Sequence, residues 1–245
     1  MSQQQDKEDL IKIIEEAKAK GERADLQGAN IQGIDLRRTN LQRVDFREAN
    51  LRDTDLREAD LREADLREAN LRGAILRGAN LRGAILRWVD LQGADLRKAD
   101  LREADLRDTD LREANLRGAN LRGAILRWVD LRWANLREAD LQGADLQGAD
   151  LRVTYLREAD LRKADLRWVD LQGADFQGAD FQGADLDYSC WPLWCGSRGV
   201  KVDRKIAAQL ALHFVCLACD DPDYLKAREA VMEFAKISHR TDEML

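Results

Sequence analysis

The chain has 245 residues, 35% of them charged and 6% aromatic, with 46 acids against 40 bases and a net charge of −6. A balance so close to neutral argues against a basic nucleic-acid binder, and no run approaches the ~18 apolar residues that a membrane span needs. The opening MSQQQDKEDL has neither the basic nor the apolar region of a secretory signal, so the cytoplasm is the expected compartment.

The first predicted element, within a capping segment over 1–22, is a helix over Asp6–Lys20. Asp6 is placed as its N-cap, Leu10, Ile11, Ile13, Ile14 and Ala17 as its apolar stripe, and Gly21 as its terminator.

The second element, over 23–187, is a repeat. From Leu26 to Leu186 an apolar residue stands at every fifth position, giving 33 centres without a gap. Two positions before each centre is a small or β-branched residue, usually Ala. Asp or Asn stands just before the centre, and Arg or Gln follows it. A period of five fits neither a helix nor a flat strand. It fits a chain that takes a short extended step and then turns a corner, with the centre pointing inward and its two neighbours outward. Four corners close a coil of 20 residues. Coils stacked at the strand spacing give a rod roughly 35–40 Å long. Both prolines, Pro192 and Pro222, lie outside the repeats, as a hydrogen-bonded ladder requires. The expected fold is an all-β solenoid, a four-sided β-helix of about eight coils with leucine ladders and alanines inside.

A segment such as ADLREADLREANLRGA resembles the pentapeptide-repeat family over about two thirds of the chain. The resemblance implies a right-handed quadrilateral β-helix. It constrains function loosely, since some members inhibit or protect DNA gyrase by resembling duplex DNA.

The third element, 188–245, starts with the aromatic loop DYSCWPLWCGSRG, whose Trp191, Leu193 and Trp194 are expected over the last coil. Two amphipathic helices follow, Val202–Ala218 and Asp221–Ile237, the second capped by Asp221 with Pro222 at its first position. Cys190, Cys195, Cys216 and Cys219, with His213 nearby, have the composition of a zinc site and make a metal-stabilised module one alternative. Their apolar neighbours favour buried thiols, and no metal or other cofactor is expected. His213 and His239 both lie in this tail, and no Gly-rich phosphate loop or nucleophile elbow occurs. The chain therefore reads as a non-enzyme with no small-molecule substrate.

Sorted by position within the coil, the face centred on Leu26, Phe46 and Leu66 is the most acidic. The face centred on Leu36 and Leu56 is positive, because Arg follows every centre but its last. Duplex DNA carries one negative charge per ~1.7 Å. The interleaved arginines leave a far weaker field, which disfavours DNA mimicry. The most acidic face also carries the apolar intrusions: Ile85 and Ile125 replace Asp, and Trp88, Trp128 and Trp168 occupy outward corners. The segment AILRWVDL occurs twice, 40 residues or two coils apart. Trp133 lies on the adjoining face, while Ile75 and Tyr155 share the third. Exposed tryptophans on a soluble rod mark a contact surface. The expected role is a protein-binding scaffold acting through Ile85, Trp88, Ile125, Trp128, Trp133 and Trp168. Its partner is a protein, with a homodimer as one form of assembly.

Overall fold

A computed structural model of the chain describes residues 3–190, 200–204, 206–208, 211 and 222–235. Its architecture follows from where each repeat sends its five backbone N–H groups, all of which need partners if the interior is to stay dry. In the unit Ala104–Asp108, Ala104 donates back to the Leu101 carbonyl (3.1 Å), closing a four-residue turn. Asp105 donates to Ala84 in the preceding coil (3.0 Å), while Leu106 and Asp108 donate to Ile125 and Arg127 in the next (2.7 and 3.0 Å). The fifth, from Arg107, goes to the Asp105 side chain (3.3 Å). That last bond is the structural reason for Asp or Asn before each centre: a short side-chain oxygen accepts the N–H that no coil can reach.

Parallel bridges pair residues 20 apart from Asp25↔Asp45 through Asp170↔Cys190, so four units make one coil and the chain is a β-helical solenoid. Each bridge is isolated, and no longer strand forms among the described residues. The turns explain why. The residue two past each centre sits at positive φ, as the third residue of a type II turn does. Glycine is at home there, yet Glu68 (φ 60°), Trp88 (58°) and Asp108 (57°) adopt the same conformation. L-residues pay roughly 1–2 kcal/mol for it, a cost that the coil-to-coil bonds on both sides must outweigh.

The interior is the predicted one. Leu36, Leu56, Leu61 and Leu106 are fully buried, as are Ala104 and Ala124. Thr54, Thr109 and Thr154 are buried too, and their hydroxyls donate to the carbonyls of Ile31, Leu86 and Leu131 one coil earlier.

At the first coil, α1 spans Gln3–Ala19 and starts before the expected Asp6, which therefore lies inside the helix rather than at its cap. Leu10 and Ile14 are buried in the rod's core cluster, with Ala17 packed against it, but Ile13 faces solvent, so the stripe is narrower than expected. Gly21 (φ 71°) ends the helix as predicted: its N–H meets the Lys18 carbonyl (3.0 Å) and that of Glu22 meets Ala17 (2.9 Å), a Schellman motif.

At the last coil, Lys201 adds a rung, donating to Ala179 (2.9 Å) and accepting from Phe181 (2.8 Å). Asp203 then serves two elements. One oxygen accepts from Gly183 of the last coil (2.8 Å), and the other from Ile206 (2.9 Å) at the start of the helical stretch that follows. Ile206 is fully buried in the rod's core. A second helix, α2, spans Pro222–Ala235 with proline at its first position. Trp191, Leu193, Trp194, Cys195, His213, Cys216, Cys219, Asp221 and His239 lie outside the described residues. Among the described residues no helix is long and apolar enough to cross a membrane.

Candidate functional site: an aromatic corner on a charge-paired rod

Each repeat presents three side chains outward: the Asp or Asn, the Arg or Gln, and the corner residue. Where the unit is Asp followed by Arg, these two side chains chelate each other. Arg102 donates through Nε (2.8 Å) and Nη2 (2.5 Å) to the two oxygens of Asp100. The same fork recurs at Asp55–Arg57, Asp95–Arg97 and Asp160–Arg162. These arginine hydrogen bonds hold the Asp55, Asp95, Asp100 and Asp160 carboxyls below their ordinary range. At Asp65, burial pushes the other way, but Arg67 (2.7 Å) and Arg23 (3.5 Å) outweigh it.

A carboxyl held low in the folded state stabilises the fold at any pH above the unfolded value near ~4, and that contribution disappears as pH falls through the folded values. Each half-exposed pair is worth ~1 kcal/mol or less, but the forks are many. The melting temperature should therefore be flat from pH 8 to 5 and drop on the order of 10 °C by pH 2. An unchanged melting temperature between pH 6 and pH 2 would show the forks to be energetically idle.

The apolar replacements rewire this pattern. Ile75, Ile85, Ile125 and Tyr155 supply no carboxylate or amide oxygen, so the arginine that follows each is released. Arg127 reaches forward to Asp145 (2.5 Å), whose own partner position is Gln147, and Arg157 likewise reaches Asp175 (2.6 Å), which is followed by Gln177. Arg87, released by Ile85, lies over the Trp88 ring with its guanidinium 4.3 Å from the centroid. Arg137 lies 5.3 Å from the Tyr155 ring.

The sequence expectation for exposure holds for the tryptophans and not for the isoleucines. Trp88 is 49% exposed, Trp128 65%, Trp133 54% and Trp168 60%. Ile85 and Ile125 are half-buried, because each sits in a ladder between aspartates, Asp65↔Ile85↔Asp105 and Asp105↔Ile125↔Asp145.

The same register puts Trp88, Asp108, Trp128, Gly148, Trp168 and Tyr188 on one corner, one per coil. A Cβ built on Gly148 would be equally close to Cε3 and Cζ3 of Trp128, with Cδ2 slightly farther. That pattern places the six-membered ring face-on over Gly148, a seat open only because the residue there has no side chain. Trp168 stacks on Tyr188 with centroids 4.3 Å apart and planes 7° from parallel. The two rings come from successive coils, so they stand across the rod axis. Trp133 occupies the neighbouring corner one repeat after Trp128. The structure thus brings Trp88, Trp128 and Trp168 onto one line and sets Trp133 beside it. Gly148 and Tyr188 belong to the site although sequence reasoning passed over them; adding 20 to 128 and to 168 would have found both.

Cys190 is exposed, not buried as expected. It takes the Asp position of its unit, where its sulfur accepts from Gln172 Nε2 (3.3 Å).

Comparison with solved structures relates the chain to HetL, a pentapeptide repeat protein involved in heterocyst differentiation regulation in the cyanobacterium Nostoc. Identity is 33% over 77% of this chain and 92% of that one, with a TM-score of 0.40. A pentapeptide repeat protein from the Arabidopsis thaliana thylakoid lumen matches at 32% identity over 49% of this chain and 74% of its own, with a TM-score of 0.39. QnrB1, a plasmid-mediated fluoroquinolone resistance protein, matches at 21% identity over 71% of this chain and 90% of its own, with a TM-score of 0.43. Comparison with curated protein sequences gave no match. The family model for pentapeptide repeats matches residues 22–57, 59–97, 90–127, 114–152 and 154–187. With the 20-residue coil and its five-residue unit, that match identifies the chain as a member of the pentapeptide-repeat family.

Proposed function

We propose that this chain is a non-catalytic protein-binding rod, with the corner carrying Trp88, Trp128 and Trp168, flanked by Ile85, Ile125 and Trp133, as its contact surface. The observation that carries the reading is that, among the described residues, four tryptophans between 49% and 65% exposed are concentrated on two adjacent corners of a surface rich in charge pairs. Tryptophan and arginine dominate binding hot spots, and Arg87 stacked on Trp88 supplies both at one point. The arginine forks also argue against DNA mimicry of a topoisomerase substrate, since they neutralise the carboxylates that would have to stand for phosphates. The partner in this reading is a protein, and a second copy of the chain is one candidate.

Replacing Ile85 and Ile125 by Asp, and Trp88 and Trp128 by Glu, puts at each site a residue that other coils already carry. The rod should keep its circular dichroism and melting behaviour, because no inward Leu or Ala changes. Sedimentation of the pure protein and recovery of complexes from its native cell should both show the association lost, with affinity falling at least about a hundredfold. If self-association and the set of recovered partners are the same for both proteins, the corner is not a contact surface and the reading is wrong.

A further inference from the structure

We propose that the corner diagonally opposite Trp88, Trp128 and Trp168 is a second docking surface, a basic groove that takes a short acidic segment of a partner protein. Two depressions on the rod, of about 490 and 540 Å³, share Glu58 and Arg77 and so form one groove. From Arg38 to Glu138 it covers five coils, or ~24 Å, with Lys7 of α1 at its first end. Lys98, in its middle, follows Trp88 by half a coil, which puts the two on opposite corners of the square. Eight cations line the groove. The carboxylates that line it or fork its arginines number five, which leaves an excess of three positive charges on a chain whose net charge is −6.

The excess has a traceable origin. Arg38 is held by Glu58 and Arg117 by Glu138, both at 2.7 Å. Arg37, Arg57 and Arg97 are forked by the aspartates two residues before them. Arg77 and Lys98 make no ion pair among the described residues. Ile75 offers Arg77 no oxygen, and the carboxylate one coil ahead, Asp95, already holds Arg97 (2.6 Å). Arg127 and Arg157 find partners only because Gln147 and Gln177 leave Asp145 and Asp175 open to them. Lys98 has Gly78 and Gly118 as its neighbours on the corner, one coil to either side, and neither can supply a carboxylate. The same two glycines keep the floor of the groove low, so a chain can lie along it between Glu58 and Glu138. Charge complementarity selects an anionic occupant, and the extent of the groove selects a short one. About seven residues of extended chain cover ~24 Å. A longer polyanion such as a nucleic acid would run past both ends onto a chain of net negative charge, and no aromatic ring lines the groove for a base to stack on. A carboxylate of an acidic segment can meet the Arg77 guanidinium bidentately, with Lys98 beside it, and displaces no existing pair.

The test uses the full chain and labelled eight-residue peptides, with binding read by fluorescence anisotropy at about 0.15 M salt. A peptide repeating Glu-Ser should bind saturably, and at least about tenfold more tightly than one repeating Gln-Ser. Arg77→Gln with Lys98→Gln should weaken it at least about tenfold. Arg52→Gln with Arg72→Gln takes the same charge from exposed arginines of the adjoining face and should change binding less than about twofold. The sharper variant is Ile75→Asp, which gives Arg77 the fork partner that Arg57 and Arg97 have. It removes no cation and changes no inward residue, so the fold should survive while binding falls at least about fivefold. An eight-nucleotide thymidine oligomer should bind more weakly than the Glu-Ser peptide. Absence of saturable binding, equal binding of the Gln-Ser peptide, tighter binding of the oligomer, or full binding by either groove variant would each overturn the proposal. The variant with four substitutions on the tryptophan corner should bind the peptide as wild type does, and loss of binding there would place the peptide on the wrong corner. If the peptide fails while that variant still loses its native association, the tryptophan surface stands and the basic groove alone is ruled out.

Discussion

Replacing Leu106 by aspartate is expected to disrupt the middle of the rod, lowering the melting temperature by more than about 10 °C or leaving the chain insoluble. Leu106 is fully buried, at the midpoint of a ladder that runs from Leu26 to Leu186, between Leu86 and Leu126. Every N–H of its unit is already committed to a turn, a neighbouring coil or Asp105, so a carboxylate entering the core would find no backbone donor. An unpaired buried charge of this kind costs several kcal/mol, more than the ~2–5 kcal/mol expected for the milder Leu106→Ala. The distribution of the damage is as informative as its size. A coil contacts only the coils before and after it, so stability spreads along one dimension. Hydrogen exchange in the Leu106→Ala protein should speed up most in residues 80–130 and least at the two ends. An outward control, Arg107→Ala, removes one half-exposed fork and should cost no more than about 1 kcal/mol. A melting temperature within 3 °C of wild type for Leu106→Asp would mean that the interior is not the packed core described here.

The contrast between inward and outward positions also explains what could be read from the sequence. The inward pattern is written in the sequence because a square coil admits so few residue types. Leucine at the centre and alanine two before it are dictated by space, and they recur at every fifth position. The Asp/Asn column was visible as a pattern, yet its cause was not. Its oxygen accepts the backbone N–H two residues later, which becomes apparent only once the other four N–H groups have been traced. The half-burial of Ile85 and Ile125 was hidden for a related reason. Alternation says which side of the chain a residue faces but not how tall its neighbours in adjacent coils are. Gly148 and Tyr188 were missed because sequence neighbours were read rather than neighbours at 20-residue spacing, which is where the contacts of a solenoid lie. At the ends the periodicity gives no guidance. There α1 starts at Gln3 instead of capping on Asp6, Ile13 turns to solvent, and Asp203 takes on two bonding roles in a segment that reads merely as an amphipathic helix.

Removing residues 1–21 is expected to convert the protein into a species that associates end to end. A β-helix ends in a coil whose next neighbour is missing, an edge that any other coil edge can pair with. Here α1 occupies that place. Leu10 and Ile14 are 5% and 2% exposed and share one buried cluster with Leu26, Ile31 and Ile34 of the first coil. The helix is also tethered by polar contacts, since the Lys18 ammonium donates to the Asn40 carbonyl and Lys7 lies 3.9 Å from Asp35. Without α1, those three apolar side chains meet water together with the backbone groups of the first coil. Burying large aliphatic side chains is worth ~1.5–3 kcal/mol each, so pairing two uncovered ends recovers both apolar burial and ladder hydrogen bonds. Sedimentation equilibrium should show a mass that rises with concentration in the micromolar range, whereas the full chain's mass, if it changes at all, should respond to the tryptophan substitutions instead. Leu10→Glu with Ile14→Glu should reproduce the effect without shortening the chain, because the charges dislodge the helix from the coil. A truncated protein that stays monomeric with an unchanged melting temperature would show that the first coil needs no cover, and that α1 rests on the rod without protecting its edge.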